Sequence, residues 1–449
     1  MGQETIFALG SGPGVAGIAV VRISGPAAGE ALRRLSGKAL PKPRQATLAT
    51  LADPATAKPL DHALVLWFPA PKSFTGEPVV ELHLHGGRAV VAGALEALAR
   101  LPGLRPAEPG AFARQAFENG KLDLTEIEAL ADLVAAETAA QREQALRQFE
   151  GALGERCEAW REVLLQTLAR VEAAIDFVDE DLPEGMRQAA EEEAARIGRE
   201  IAAHLDDNRR GERLREGFRI VLLGAPNAGK STLLNAIARR DVAIVSEEPG
   251  TTRDVIEVAL DLGGLPAVIA DTAGLRAEAS AIEREGIARA RRRAAEADLK
   301  LALFDGTLWP ERDRETHALV DETTVPVLTK ADLAGATRAG ATRTARLAGK
   351  EMLVVSAKTG EGMDLLLRRL ESEIRDRLTG SEAAPVTRLR HRRSLEDCAA
   401  ALARFLSQPS PELAAEDLRL AVRALGRITG RVDVEDVLDR LFAEFCIGK

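Results

Sequence analysis

Apolar and polar positions change their rhythm three times along the chain. Up to about residue 119 short apolar runs are broken by Gly and Pro. There Ile18–Ile23, Ala63–Phe68 and Val79–Leu84 read as strands, and Ala89–Arg100 has helical spacing. From Leu122 to about Arg215 the texture is long Ala/Glu/Arg-rich helix, with Leu164, Leu168, Val171 and Ile175 predicted to form a buried stripe. Between Phe218 and Arg377 the short runs FRIVLLG, AVIAD, LKLALFD, VPVLTK and MLVVSAK alternate with helical stretches. That rhythm predicts a parallel sheet covered by helices. After a loop near Thr379–Pro385 helical texture returns, ending in a stripe of Val434, Val437, Leu438, Leu441, Phe442 and Phe445 with Asp433 as its N-cap.

Two similar helical blocks around an α/β block suggest one helical domain interrupted by another. A lone C-terminal block of about 65 residues would have a marginal core, which favours this over three domains in a row. The expected organisation is a mixed α+β domain at 1–119, a helical domain split between 120–215 and 379–449, and an inserted Ras-like α/β domain at 216–378. Only 3% of the 449 residues are aromatic, with no Tyr, which agrees with a mainly helical chain. The net charge of −9 argues against a surface that grips nucleic acid everywhere. Cys157, Cys398 and Cys446 are too scattered for a disulfide framework or a four-cysteine zinc site. No run approaches the ~20 apolar residues of a membrane helix, and MGQETIFALG lacks the order of a secretory signal. A soluble cytoplasmic protein without membrane association is expected.

The strongest chemical signal is Gly224-Ala-Pro-Asn-Ala-Gly229-Lys230-Ser231, directly between an apolar strand and the helical LLNAIA. Glycines admit backbone N–H groups to phosphate oxygens, and the following helix N-terminus adds a positive field. Asn227, Ala228, Gly229, Lys230, Ser231 and Thr232 therefore form the predicted phosphate cradle, with Lys230 reaching the β- and γ-phosphates and Ser231 ligating Mg²⁺. Asp271-Thr272-Ala273-Gly274 ends the next parallel-type strand with a carboxylate for the Mg²⁺ water shell and a glycine for the γ-phosphate. Gly250-Thr251-Thr252-Arg253-Asp254 places hydroxyls where a nucleotide-sensing switch would sit. Thr329-Lys330-Ala331-Asp332 and Ser356-Ala357-Lys358 follow later strands. The Asp332 carboxylate suits the ring N–H and exocyclic amine of guanine, and the 356–358 turn can offer a backbone N–H to its carbonyl oxygen. In this order the motifs predict a GTPase domain.

Two positions depart from the usual GTPase pattern. Thr329 stands where Asn is common, and a hydroxyl replaces only part of an amide's hydrogen bonding. Leu275 stands where Ras-like enzymes place a water-orienting glutamine, so another group must do that work. Asn227 is either a ligand for a monovalent cation at the leaving oxygens or a loop-stabilising asparagine. Among smaller features, Glu81, His83 and His85 share one strand face. Such a set can ligate zinc, but a solvated face with one functional carboxylate is the expectation. The basic run Arg388, Arg390, His391, Arg392 and Arg393 reads as a solvated hinge rather than a nucleic-acid contact, and Asp206–Arg210 as solvated helix surface.

The whole chain resembles the MnmE (TrmE) family of tRNA modification GTPases. The resemblance rests on VVRISG at Val20–Gly25, SFTGE at Ser73–Glu77, HGG at His85–Gly87 and GKLDL at Gly120–Leu124. REGFRIV before GAPNAGKST, EEPGTTRD, DTAGLR and the closing CIGK complete it. The family implies an N-terminal domain that forms a homodimer and binds a folate one-carbon carrier, 5,10-methylene- or 5-formyl-tetrahydrofolate. By motif match Arg22, Glu81, Lys121 and Lys449 would line that pocket. It also implies GTP with Mg²⁺ on Ser231 and Thr252, and K⁺ on Asn227, the backbone of Ser246 and Glu248, and Thr251, ordered as the GTPase domains pair. Glu283 in IEREG matches the water-orienting carboxylate, an answer to the question Leu275 poses.

Further implied are an FAD-containing partner, MnmG (GidA), in a heterotetramer, and tRNA as substrate. The modified position would be carbon 5 of the wobble uridine, receiving an aminomethyl or carboxymethylaminomethyl group. Departures are Ala111 in place of Glu, Thr329 in place of Asn, and Glu247-Glu248-Pro249 in the potassium loop. Cys446 is either a thiol near the folate and uridine chemistry or a small packing residue. The alternative for the whole chain is a regulatory ribosome-assembly GTPase with no substrate chemistry.

Overall fold

The structure is a computed structural model that describes residues 4–176, 186–244, 257–271, 292–311, 313–333, 345–378, 386–432, 438, 441–442 and 448. The chain divides into two compact units, one of 1–131, 148–197 and 397–449, the other of 132–147 and 198–396. Among the described residues no helix is long and apolar enough to cross a membrane.

The first unit holds a six-stranded sheet of β1 (Thr5–Leu9), β2 (Ala16–Ser24), β3 (Thr47–Ala52), β4 (Pro59–Phe68), β5 (Val79–Gly86) and β6 (Leu104–Pro106), in the order β3-β4-β5-β2-β1-β6. All neighbours are antiparallel except β1 and β6. Strict alternation fixes the faces of β5: Val80, Leu82 and Leu84 are buried against helices Ala28–Ser36 and Arg88–Ala99. Glu81 and His83, expected on a solvated face, are half-buried, and only His85 is exposed. Register sets Glu81 directly opposite Arg22 of β2, which makes their side chains a cross-strand pair. The predicted strands and the 89–100 helix are all present. β1, β3 and β6, at five, six and three residues, are too short to stand out in the sequence.

In the same unit helix Gly154–Asp176 packs along helix Pro411–Thr429. The second begins with Ser410, whose hydroxyl accepts from the Leu413 amide, and with Pro411 in its first turn. Of the predicted stripe Leu164 and Leu168 are buried, while Val171 and Ile175 are half-exposed, so it fades toward the helix end. Leu441 and Phe442 of the C-terminal stripe are buried with Leu124 and Ile127. Asp433, Val434, Val437, Phe445 and the loop 379–385 lie outside the described residues.

The second unit is built on β7 (Phe218–Leu223), β8 (Glu257–Leu262), β9 (Leu265–Asp271), β10 (Leu299–Asp305), β11 (Thr324–Thr329), a small ribbon of β12 (Arg346–Leu347) and β13 (Lys350–Glu351), and β14 (Leu353–Val354). The main order is β14-β11-β10-β7-β9-β8, parallel except for β8. β7, β10 and β11 are buried almost throughout, as both-face coverage by helices requires. Antiparallel β8, with its alternating polar residues, is the strand the sequence rhythm does not announce.

The basic run is solvated only in part: Arg393 is exposed and Arg390 half-buried, but the rest is enclosed. His391 and Arg392 are buried, and Arg388 is nearly so. Arg392 donates to Glu212 at 3.1 Å, to Asp207 at 2.6 Å and to the Leu205 carbonyl at 3.0 Å. Arg388 and Arg215 share Asp132 at 2.7 and 2.9 Å. Asp206–Asn208 likewise form a turn rather than helix surface, with Asn208 and Arg209 in the left-handed region and Asp207 turned to Arg392. Charge composition alone cannot tell a solvated run from one matched by acids distant in sequence. Arg392→Met takes the guanidinium from Asp207 and leaves the buried Glu212 with Arg209 alone, at 2.8 Å. A loss of about 3–5 kcal/mol is expected in urea unfolding, the usual cost of breaking a buried pair on one side.

Candidate functional site

Sheet topology concentrates the motifs of the second unit. The chain leaves β7 toward β9 on one side and returns to β10 on the other, so the order reverses beside β7, where open α/β sheets take ligands at strand carboxyl ends. Register aligns Leu222 with Asp271, Leu223 with Ala302, and Asp305 with Thr329. Gly224, Asp271, Asp305 and Thr329 therefore end their strands at one edge.

The loop after β7 is tight by construction. A Cβ on Gly224 would stand 2.9 Å from the Leu303 carbonyl, and Gly229 takes φ +92° as the cap of helix Lys230–Ala238. That helix opens with its amide N–H groups toward the loop. Lys230 is buried and its Nζ donates to the carbonyls of Gly224 and Ala225 at 2.8 and 2.9 Å. Burial pulls its ammonium below the ordinary lysine pKa, against Asp271 and Asp313, which favour the charge. Ser231, exposed, donates its hydroxyl to the buried Asp271 carboxylate at 2.7 Å. A hydroxyl oxygen beside a carboxylate is a donor set suited to a hard divalent cation. Thr232 is exposed one residue further, and Ala228 is buried. Asn227 sits at φ +63°, exposed, and its amide makes no hydrogen bond among the described residues.

Thr329 does something its sequence position did not suggest. Its buried hydroxyl lies 2.7 Å from the Ala228 carbonyl and 3.1 Å from that of Phe304. One proton shared between two carbonyls ties the phosphate loop to β10 and β11. Thr329→Val keeps the shape but leaves those carbonyls without this donor, at a cost of about 1–3 kcal/mol. A roughly tenfold or larger rise in the GTP dissociation constant is expected, read by fluorescent-nucleotide titration.

Lys330, at φ +57°, pairs with Asp305 at 2.6 Å. Burial alone would raise the Asp305 carboxyl, but the Lys330 ammonium and the Thr307 hydroxyl and amide outweigh it and hold it below the usual carboxylate range. Asp305 was missed in the sequence, although it closes an apolar strand as Asp271 does. Asp332 is exposed and accepts from the fully buried Ser356 hydroxyl at 2.7 Å. The Ser356 amide is anchored on the Glu361 carbonyl at 2.9 Å, with Ala357 half-buried and Lys358 exposed beside it. The predicted residues Ser246, Glu248, Thr251, Thr252, Thr272, Ala273, Gly274 and Glu283 lie outside the described residues.

In the first unit Arg22, Glu81 and Lys121 line one cavity of about 470 Å³ together with Phe68 and Phe74. Arg22 donates through Nε and Nη2 to one Glu81 oxygen at 3.1 and 2.9 Å, and its guanidinium lies 5.5 Å from the Phe74 ring centroid. His83 Nε2 stands 3.5 Å from the other Glu81 oxygen. An ion pair at the base and aromatic walls suit a flat, hydrogen-bonding heterocycle. Cys446 and Lys449 lie outside the described residues.

Residues 5–121 match the family described as GTP-binding protein TrmE N-terminus, and residues 124–446 match the MnmE helical domain. The chain is 56% identical to the tRNA modification GTPase MnmE of Paramagnetospirillum magneticum and 53% to that of Parvibaculum lavamentivorans, with 100% of each chain covered in both cases. It is 47% identical to the human mitochondrial 5-taurinomethyluridine-[tRNA] synthase subunit GTPB3, over 99% of this chain and 93% of that one. With both family models matched and full-length identity of this order, the chain belongs to the MnmE (TrmE) family of tRNA modification GTPases.

Proposed function

We propose that this chain is a potassium-dependent GTPase activated by dimerisation. With an FAD-containing partner of the MnmG (GidA) kind it installs an aminomethyl or carboxymethylaminomethyl group at carbon 5 of the wobble uridine of certain tRNAs, using a folate one-carbon unit. The observation that carries the reading is the gathering of Lys230, the Ser231–Asp271 pair, Thr329 and the Ser356–Asp332 pair around one edge of one sheet. The Arg22–Glu81–Lys121 cavity supports its folate half. The human relative's name, a subunit of a uridine-modifying synthase, supports the choice of nucleoside.

In this reading Lys230 and the backbone of 227–231 hold the phosphates, while Ser231 and Thr252 hold Mg²⁺. Asn227, Thr251 and the backbone of Ser246 and Glu248 hold K⁺, and Glu283 orients the attacking water. The alkali ion supplies positive charge at the leaving oxygens, the place an arginine takes in other GTPases. Lys330 and Asp332 face the guanine, with Ala357 and Lys358 at its carbonyl edge. GTP hydrolysis in the inserted 216–378 domain biases a two-state arrangement of the helical domain and supplies no transferred atom. The test is GTP turnover by the full chain in potassium and in sodium, with Glu283→Ala alongside. Turnover is expected to fall by about 10²-fold or more in sodium, and similarly in the variant. Equal rates in the two salts remove the alkali-ion assignment; an unimpaired variant removes Glu283.

A further inference from the structure

The cavity of the first unit carries more positive charge than its base uses. Arg22 is matched by Glu81. Arg44, Lys72 and Lys121 also line it, all exposed, and none of the three forms an ion pair with a carboxylate among the described residues. This local excess sits on a chain whose net charge is −9. Nor is Arg44 a loosely placed surface group. Its guanidinium lies 5.4 Å from the Phe68 ring centroid and donates to the Lys72 backbone carbonyl, so Arg44 is fixed against the segment that carries Lys72, and both line the cavity. The cavity thus has a half-buried ion-paired base, aromatic walls and a cationic mouth. A heterocycle engages the first two, and the two carboxylates of a single glutamate leave part of the third unmatched.

We propose that Arg44 and Lys72 form a subsite for a chain of carboxylates, so that the pocket prefers a reduced folate bearing several γ-linked glutamates over one bearing a single glutamate. The inference rests on the folate reading above. The aromatic wall at Phe68 fixes the Arg44 charge beside the exit path, where successive carboxylates of such a tail emerge. Exposed ion pairs each strengthen association only a few-fold, so two cations acting on the added carboxylates give roughly a tenfold preference. Because the groups are exposed, that preference shrinks as salt rises.

The experiment is titration calorimetry on the full chain with 5-formyltetrahydrofolate carrying one or three glutamates, at low and at high salt. It is run for the natural chain and for the Arg44→Gln, Lys72→Gln double variant. The natural chain is expected to bind the triglutamate about tenfold more tightly at low salt, with the ratio falling in high salt and approaching one in the double variant. Equal affinities in the natural chain overturn the subsite without needing any variant. So does a double variant that weakens both ligands alike and keeps the ratio. In both cases the folate reading stands. Failure of the natural chain to bind either ligand removes the folate reading and the subsite with it.

Discussion

Lys230→Ala is expected to cut GTP turnover by about 10²–10³-fold, the effect of removing one preorganised donor from a site where charge develops. The geometry explains why no other group takes over. The ammonium is enclosed between the Gly224 and Ala225 carbonyls and the first turn of its own helix, and is buried. Few water molecules can substitute there, so its charge acts in a medium that screens it weakly. Truncation also leaves two loop carbonyls without their donor, which loosens the cradle that Thr329 braces from the other side. Both kcat and KM should therefore move, with kcat carrying the larger share if the lysine's contact tightens as charge builds. Lys230→Arg should not restore turnover, because a planar guanidinium does not fit where a compact ammonium meets two carbonyls. Single-turnover hydrolysis with saturating nucleotide separates the two contributions. A variant that binds more weakly yet turns over normally at saturation would reduce Lys230 to a binding group.

The parts of this molecule that sequence makes legible are those governed by local rules. The phosphate loop is one, because glycines, a lysine and a hydroxyl between a strand and a helix have few other uses. The parallel strands are another, since runs such as LKLALFD must be buried on both faces. Thr329 shows the limit. Its identity marked a departure from the common asparagine, but its bond to the Ala228 carbonyl depends on how closely β11 approaches the phosphate loop. That distance belongs to tertiary packing. Arg392 shows the same limit for charge, because the acids that bury it, Asp207 and Glu212, lie far back along the chain. β8 was missed for a third reason: its polar alternation is what an edge strand with one solvated face produces. Arg22 and Glu81 became partners only through register, although each had been singled out by its motif.

Asp332→Asn is expected to exchange the base preference, lowering affinity for GTP by about 10²–10³-fold while conferring binding of xanthosine triphosphate. In the proposed reading the carboxylate accepts from the ring N–H and the exocyclic amine of guanine, two charge-assisted bonds. An amide keeps one acceptor and turns the other position into a donor, which opposes that amine and matches the second carbonyl of xanthine. Ser356 decides how cleanly the exchange works. Its hydroxyl, fully buried and held at 2.7 Å from Asp332 Oδ1, donates in that bond. In the variant it selects the amide oxygen for that contact and so turns the amide nitrogen to the open side, where the new base needs a donor. Ser356→Ala in the same background should therefore blur the preference rather than reverse it, because the amide then flips between two orientations. Competition of the two triphosphates against a fluorescent nucleotide reads both effects. Unchanged GTP affinity in Asp332→Asn would remove Asp332 from base recognition, and a clean exchange that survives Ser356→Ala would leave Ser356 with only its structural bond to the Glu361 carbonyl.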